Sequence, residues 1–241
     1  MLHCAAALLL STSATAAAAD ILVVRSAGPS AKSFPPGKSI PETGQITLKA
    51  NDSVVVLDGR GTRTLRGPGT FAAGGSTAGA APKSGIAAMA GGAPQRRARI
   101  GAVRGAGSAP RSPSIWHVDV ARSSTICLPD PAGVTLWRAD ASQPVTLTLT
   151  GSDGATQKVD WAQGESTLVW PASFKISEGA NYRLSWNGAA SPTSLKFKWL
   201  SAKPAGLEDM ASSLIQNGCE AQLDLLIETV KLPDEQAAPA G

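Results

Sequence analysis

Between residues 113 and 201 apolar and polar positions alternate in short bursts. In VTLTLT, Val145, Leu147 and Leu149 fall on one side and Thr146, Thr148 and Thr150 on the other. That is the period of a half-buried strand. Comparable segments lie at 115–121, 124–128, 134–138, 144–150, 157–161, 166–170, 182–186 and 194–200. The turn clusters PDPAG, GSDG, SEGAN and NGAASP punctuate them. Seven or eight short strands at this spacing predict a β-sandwich of immunoglobulin-like architecture over 113–203.

The same period governs 20–71, at smaller scale. ILVVR (21–25) leads into the Pro/Gly-rich AGPSAKSFPPGKSIPETG, then QITLKA, DSVVVLDGRG and TRTLRGPGTF follow. Asp58-Gly59 and Gly61 supply a tight turn between two apolar runs, so a small antiparallel β module is expected. The period changes after residue 203. Leu207, Met210, Ala211, Leu214 and Ile215 recur at helical spacing, Gly218 interrupts, and Leu223, Leu226, Ile227 and Val230 form a second stripe. Two amphipathic helices, 206–217 and 219–231, are predicted to hairpin around Gly218 within a 204–231 unit, with Asp and Glu on the polar face. The chain is thus expected to be mainly β, with a helical hairpin near its C-terminus and a disordered tail at 232–241.

The stretch PPGKSIPETGQITLKANDSVVVLDGRGTRTLRGPGTF resembles the extracytoplasmic β domain of FecR-like proteins. The positions that carry the resemblance are Gly37, Ile40, Ile46, Leu48, Asp52, Val54, Val56, Asp58, Gly59 and Gly61. They give a Gly before an apolar position, an alternating strand, an acid ahead of an apolar strand, and a D-G-x-G turn. The resemblance covers about fifty of the 241 residues. It implies an envelope setting and a module that works through contacts. Signalling members carry a cytoplasmic helical part and a membrane span before this domain, which this chain does not match, so their anti-sigma activity does not carry over.

Composition and charge sharpen the picture. Gly (25) and Pro (17) are abundant and only 17% of residues are charged, as suits a turn-rich β protein. The net charge of +4 is unevenly spread. Residues 92–112 hold five arginines and no acid, whereas 204–241 hold seven acids and one lysine. Between the β units, 72–112 is Ala/Gly/Pro-rich and then Arg-rich, the composition of a solvated connector. Its Gly74–Ser84 region mimics a P-loop, but no lysine stands at the required place.

Residues 1–19, MLHCAAALLLSTSATAAAA, read as a secretory signal peptide: a short apolar run, then Ala17-Ala18-Ala19 before Asp20. Cleavage there would leave Cys127 and Cys219, an even pair that predicts one disulfide in an oxidising compartment. The expected location is periplasmic or secreted, with no membrane span in the processed chain.

Candidate chemistry is sparse. Past residue 3 the chain has one histidine, His117, expected on the surface beside Asp119. No spacing of His, Cys or carboxylates suggests a metal or a cofactor. Asp119, Asp130, Asp140, Asp153, Asp160, Glu165 and Glu178 could serve a carboxylate-dependent hydrolase only if two converged. All six tryptophans lie at 116 or beyond, and Trp137 and Trp161 are candidates for exposed aromatic contacts. Arg96, Arg97, Arg99, Arg104 and Arg111 are candidate anion contacts. They lack interleaved aromatics for stacking on bases, so no nucleic-acid partner is expected. The leading expectation is an exported, non-enzymatic protein that contacts an envelope protein, as a scaffold or an accessory or sensor component. The alternatives are a binder of anionic glycans or membrane lipid through the connector arginines, and the hydrolase.

Overall fold

The computed structural model describes residues 20–75, 111–130 and 133–232. The expected signal peptide, most of the connector with Arg96, Arg97, Arg99 and Arg104, and the tail beyond Leu232 lie outside the described residues. The protein is mainly β, with two C-terminal helices.

The first module holds β1 (Asp20–Ala27), β2 (Ser39–Pro41), β3 (Gln45–Leu48), β4 (Ser53–Asp58), β5 (Gly61–Arg66) and β6 (Gly69–Ala72). One sheet runs β2-β1-β4-β5, all antiparallel, and β3 pairs with β6. β2 lies inside the Pro/Gly-rich stretch where no strand was expected. Only Ile40 of its three residues is buried, too short a run to show a period. Ile21, Val23, Ile40, Ile46, Leu48, Val54, Val56, Leu65 and Phe71 make the module's core.

ILVV is apolar without alternation because β1 is buried on both faces. Ile21 and Val23 face the module core, whereas Leu22 and Val24 face the helices. The register slips between Val23 and Arg25, a bulge that brings Arg25 to the helix side as well.

The second module holds β7 (His117–Asp119), β8 (Ser124–Leu128), β9 (Thr135–Trp137), β10 (Val145–Thr150), β11 (Thr156–Trp161), β12 (Thr167–Val169), β13 (Asn181–Ser185) and β14 (Thr193–Trp199). Each of the eight expected segments overlaps one of these strands, and β11, β13 and β14 begin one residue earlier than expected. They form a five-stranded sheet, β11-β10-β13-β14-β8, and a three-stranded sheet, β12-β9-β7. The β14–β8 and β7–β9 pairs are parallel. Leu147, Leu149, Leu184, Leu195, Phe197, Leu136 and Val118 fill the space between the sheets. Trp170 packs edge-on to Tyr182 and Phe197, with ring centroids 5.5 Å apart in both pairs.

The hairpin consists of α1 (Leu207–Asn217) and α2 (Glu220–Thr229). Gly218, at φ +69°, closes α1 in the left-handed conformation. Its N–H donates to the Ile215 carbonyl and that of Cys219 to Leu214, a Schellman arrangement. The hairpin supplies a third apolar core rather than an appendage. Leu207, Ala211, Leu214, Leu223, Leu226 and Ile227 pack with Leu22, Val24 and Leu57 of the first module and with Ile115, Cys127 and Leu200 of the second. The two β modules are therefore joined through the helices.

Two covalent or polar ties fix α2 to β8. Cys127 and Cys219 form a disulfide, both fully buried, with Cα atoms 5.9 Å apart. One helical turn on, Gln222 is 3% exposed. Its Oε1 accepts the Cys127 N–H at 2.6 Å, and its Nε2 donates to the carbonyls of Cys127 (2.8 Å) and Ile115 (2.9 Å).

Gln222→Leu should strip three buried backbone groups of their partner, at about 1–3 kcal/mol each. A total loss of roughly 3 kcal/mol or more in urea unfolding is expected, and a variant within 1 kcal/mol of the parent would remove the clamp from this account. Replacing both cysteines by serine frees a 92-residue separation. It should cost about 4–5 kcal/mol on the loop-entropy relation, read in the same titration.

Candidate functional site

The helices cover only part of the first module's sheet. Register places Leu22, Leu57 and Thr62 in one row across β1, β4 and β5, and the Thr62 hydroxyl donates to the Ile227 carbonyl of α2 at 2.8 Å. The next rows on that face are Arg25–Val55–Thr64 and Ala27–Ser53–Arg66. There α2 no longer seals the sheet, and a cleft of about 760 Å³ opens. Its floor is this sheet face, one wall is α2, and the other is the rim of the sandwich at β7 and β8. That volume falls within the ~300–1,000 Å³ typical of ligand sites.

The chain after α2 fixes the cleft's lower end. Thr62 N–H donates to the Val230 carbonyl at 2.9 Å, and Leu232 N–H to the Thr62 carbonyl at 2.8 Å, a parallel bridge against β5. Gly61 is required for this approach, because a Cβ there would sit 2.3 Å from the Val230 oxygen. Its φ of +145° also disfavours any side chain.

Among the described residues five cations line the cleft: Arg25, Arg66, Arg111, Arg122 and Lys231. Arg25 pairs with Asp224, and Arg111 with Glu228 at 3.0 Å, both carboxylates on α2. Arg66, on the floor, and Arg122, on the sandwich wall, are exposed and enter no ion pair or side-chain hydrogen bond among the described residues. The third acid of the lining, Asp119, turns its Oδ1 to the N–H of Ala121 at 3.0 Å. Among the described residues the cleft therefore carries two more cations than acids, and its uncommitted guanidinium groups come from different modules.

His117 corrects the expectation of a surface histidine. It is half-buried in the cleft wall, and its Nδ1 is enclosed without a hydrogen-bond partner among the described residues. Burial disfavours the charged imidazolium and holds its pKa below the usual histidine value. β7 is an edge strand, so its outer side faces the cleft rather than another strand, which the alternation alone could not show.

Trp137 and Trp161 are corrected too: they are 5% and 1% exposed. Trp137 sits in the central strand of its sheet, flanked by Thr167 and Asp119. Trp161 belongs to the sandwich core. Its ring is covered by the Arg138 guanidinium, 4.8 Å from the centroid. Arg138 in turn donates to the carbonyls of Glu165, Gln143 and Ala162. A buried arginine acting as a strap has no periodic signal, so the sequence left Trp161 looking like a turn residue.

Of the five candidate anion-binding arginines, Arg111 alone is described, and its charge is engaged by Glu228. The sandwich acids offered for hydrolysis serve separate places. Asp140 and Asp153 accept from Ser142 and Ala155 N–H in their own turns, Asp160 accepts from Thr146, and Glu178 from Trp199 N–H. Asp119 is the one of the seven that lines the cleft. No group of three or more potential metal ligands occurs among the described residues.

The acids and glycines behind the FecR-like resemblance have local structural roles. Asp52 is buried. Burial raises its pKa, but hydrogen bonds from Ser30 and Lys49 N–H outweigh that and hold it below the usual range. Asp58 receives Arg60 N–H at 2.8 Å and Gly61 N–H at 3.2 Å across the turn. Gln222 and Arg66 were not singled out in sequence. The signal for Gln222 was a polar residue within the stripe Cys219, Leu223, Leu226, Ile227, Val230.

No protein-family model matches the chain, and no curated protein matches it.

The depressed His117 pKa has a definite sign. The unfolded chain takes up the proton first, so the folded state should lose stability as pH falls below about 6.5. In the chain from Asp20 onward, NMR of this single histidine should show a midpoint under the ordinary value. His117→Asn should flatten the loss of unfolding midpoint between pH 7 and 5. An unshifted midpoint would remove the enclosed imidazole from this picture.

Proposed function

We propose that this is an exported, non-enzymatic protein of the periplasm or the secreted fraction. It acts through contact with an envelope protein, as a scaffold or an accessory or sensor component, and its first module is FecR-like. One observation carries the reading: a helical hairpin locks the two β modules together and leaves between them a cleft in which two arginines, Arg66 and Arg122, enter no ion pair among the described residues. A buried disulfide supports an oxidising compartment, and no helix among the described residues is long and apolar enough to cross a membrane.

A protein partner is favoured over a glycan or a lipid surface. Of the arginines on which the glycan or lipid alternative rested, Arg111 is paired, and both candidate aromatic platforms are buried. The hydrolase alternative gains no support from the separate duties of the sandwich acids.

Intact mass of protein from the envelope fraction of its own cells should show a chain beginning at Asp20, two hydrogens lighter than its dithiol form. Crosslinking in the same cells should join it to an envelope protein. Full-length, reduced protein in the cytosol would end this reading.

A further inference from the structure

We infer that the cleft between the modules binds an extended acidic peptide segment of the partner, held by Arg66 on the floor and Arg122 on the sandwich wall. The inference rests on the contact-protein reading and gives it a site and a chemistry.

Charge comes first. Among the described residues the lining holds an excess of cations, and Arg66 on the floor and Arg122 on the sandwich wall enter no ion pair. A guanidinium presents planar donors that match a carboxylate in two-point fashion. The cleft already pairs a guanidinium with a carboxylate twice, through one N–H···O contact each, in Arg25–Asp224 and Arg111–Glu228. A ligand bearing carboxylates would complete the same pattern at the remaining two.

The rest of the lining separates a peptide from a sugar. Among the described residues it contains no Trp, Tyr or Phe, so a pyranose ring finds no stacking face there. It does contain apolar side chains, Val55 on the floor and Leu225 on α2, which suit aliphatic residues flanking an acid. β7 supplies main-chain groups. It pairs with β9 on one side only. Val118 faces the sandwich core, and His117 and Asp119 line the cleft. Of the outward main-chain groups of β7 the His117 N–H already donates to the Ser114 carbonyl and the Asp119 carbonyl accepts from the Arg122 N–H, which leaves the His117 carbonyl and the Asp119 N–H to hold an extended ligand.

The chain's own connector is a poor occupant on the same grounds. Its residues 92–112 are cationic throughout and would add positive charge to a positive cleft.

The test uses the whole processed protein and a fluorescein-labelled peptide, Ala-Glu-Val-Glu-Ile-Asp-Ala, followed by anisotropy. The same peptide with Gln and Asn for its acids is the neutral control. The acidic peptide should bind in a salt-sensitive manner and the neutral one at least about tenfold more weakly. Arg66→Gln with Arg122→Gln should lose about tenfold or more in affinity and leave the unfolding midpoint unchanged. Arg183→Gln, exposed on the sandwich, should bind as the parent does. Equal binding of both peptides, or undiminished binding by the double variant, overturns the assignment. Tighter binding of a sulfated hexasaccharide at the same arginines also overturns it, in favour of a glycan. Crosslinking in cells separates this inference from the reading beneath it. A partner captured equally by parent and double variant removes the cleft alone; no partner with either removes the contact-protein reading.

Discussion

The outer edge of β8 is the constraint on which the arrangement turns. β8 ends the five-stranded sheet, and at Cys127 its free side faces the protein interior. A buried backbone N–H and C=O cannot be left without partners, and no further strand is present there to supply them. Gln222 supplies them from a helix. Its amide has the donor and acceptor of a peptide group, so one side chain does for Cys127 what a neighbouring strand would do. The disulfide at Cys219, one turn earlier, holds that helix at the distance the amide requires. Without these ties α2 would face an unsatisfied edge, and the third core would have no reason to assemble.

The position of the first module follows from that attachment. With α2 fixed on β8, the other side of the hairpin presents an apolar stripe, and β1 and β4 meet it with Leu22, Val24 and Leu57. This makes β1 a strand buried on two faces. The same geometry leaves the cleft. α2 ends at Thr229, and the chain is then drawn onto β5 beside Thr62. The rows through Val55 and Ser53 therefore extend beyond the helix that would otherwise seal them. The opening is what remains when a hairpin of this length bridges modules of this width.

Local grammar was legible in the chain, and long-range geometry was not. Eight sandwich strands and both helices stood out because their burial is periodic, as with Leu147 and Leu149 or Leu223, Leu226 and Ile227. The Cys127–Cys219 bond followed from there being an even pair of cysteines past the expected signal peptide. β2 escaped because one buried residue makes no period. Trp137 and Trp161 were misplaced because what covers them comes from distant parts of the chain, Arg138 with its three carbonyls among them. The cleft was invisible for the same reason. Arg66 belongs to the first module and Arg122 to the second, and only the packing of the hairpin brings them to one opening.

The uses to which the described arginines are put bear on what that opening is for. Arg138 holds three carbonyls and a tryptophan face, Arg60 and Arg63 serve the Asp58 turn and the backbone at Gly74 and Ala73, and Arg25 and Arg111 tie α2 to its surroundings. Each of these guanidinium groups has an anion or a carbonyl as its counterpart. Arg66 and Arg122 do not, and they stand in a concave site where like charges are screened less well than on a convex surface. Neither contributes an ion pair to the folded state. A bound carboxylate gives such a group its counterion with directed hydrogen bonds. Arg183, exposed on the sandwich, also lacks a partner among the described residues, so what sets Arg66 and Arg122 apart is that both line one cleft bounded by three structural units.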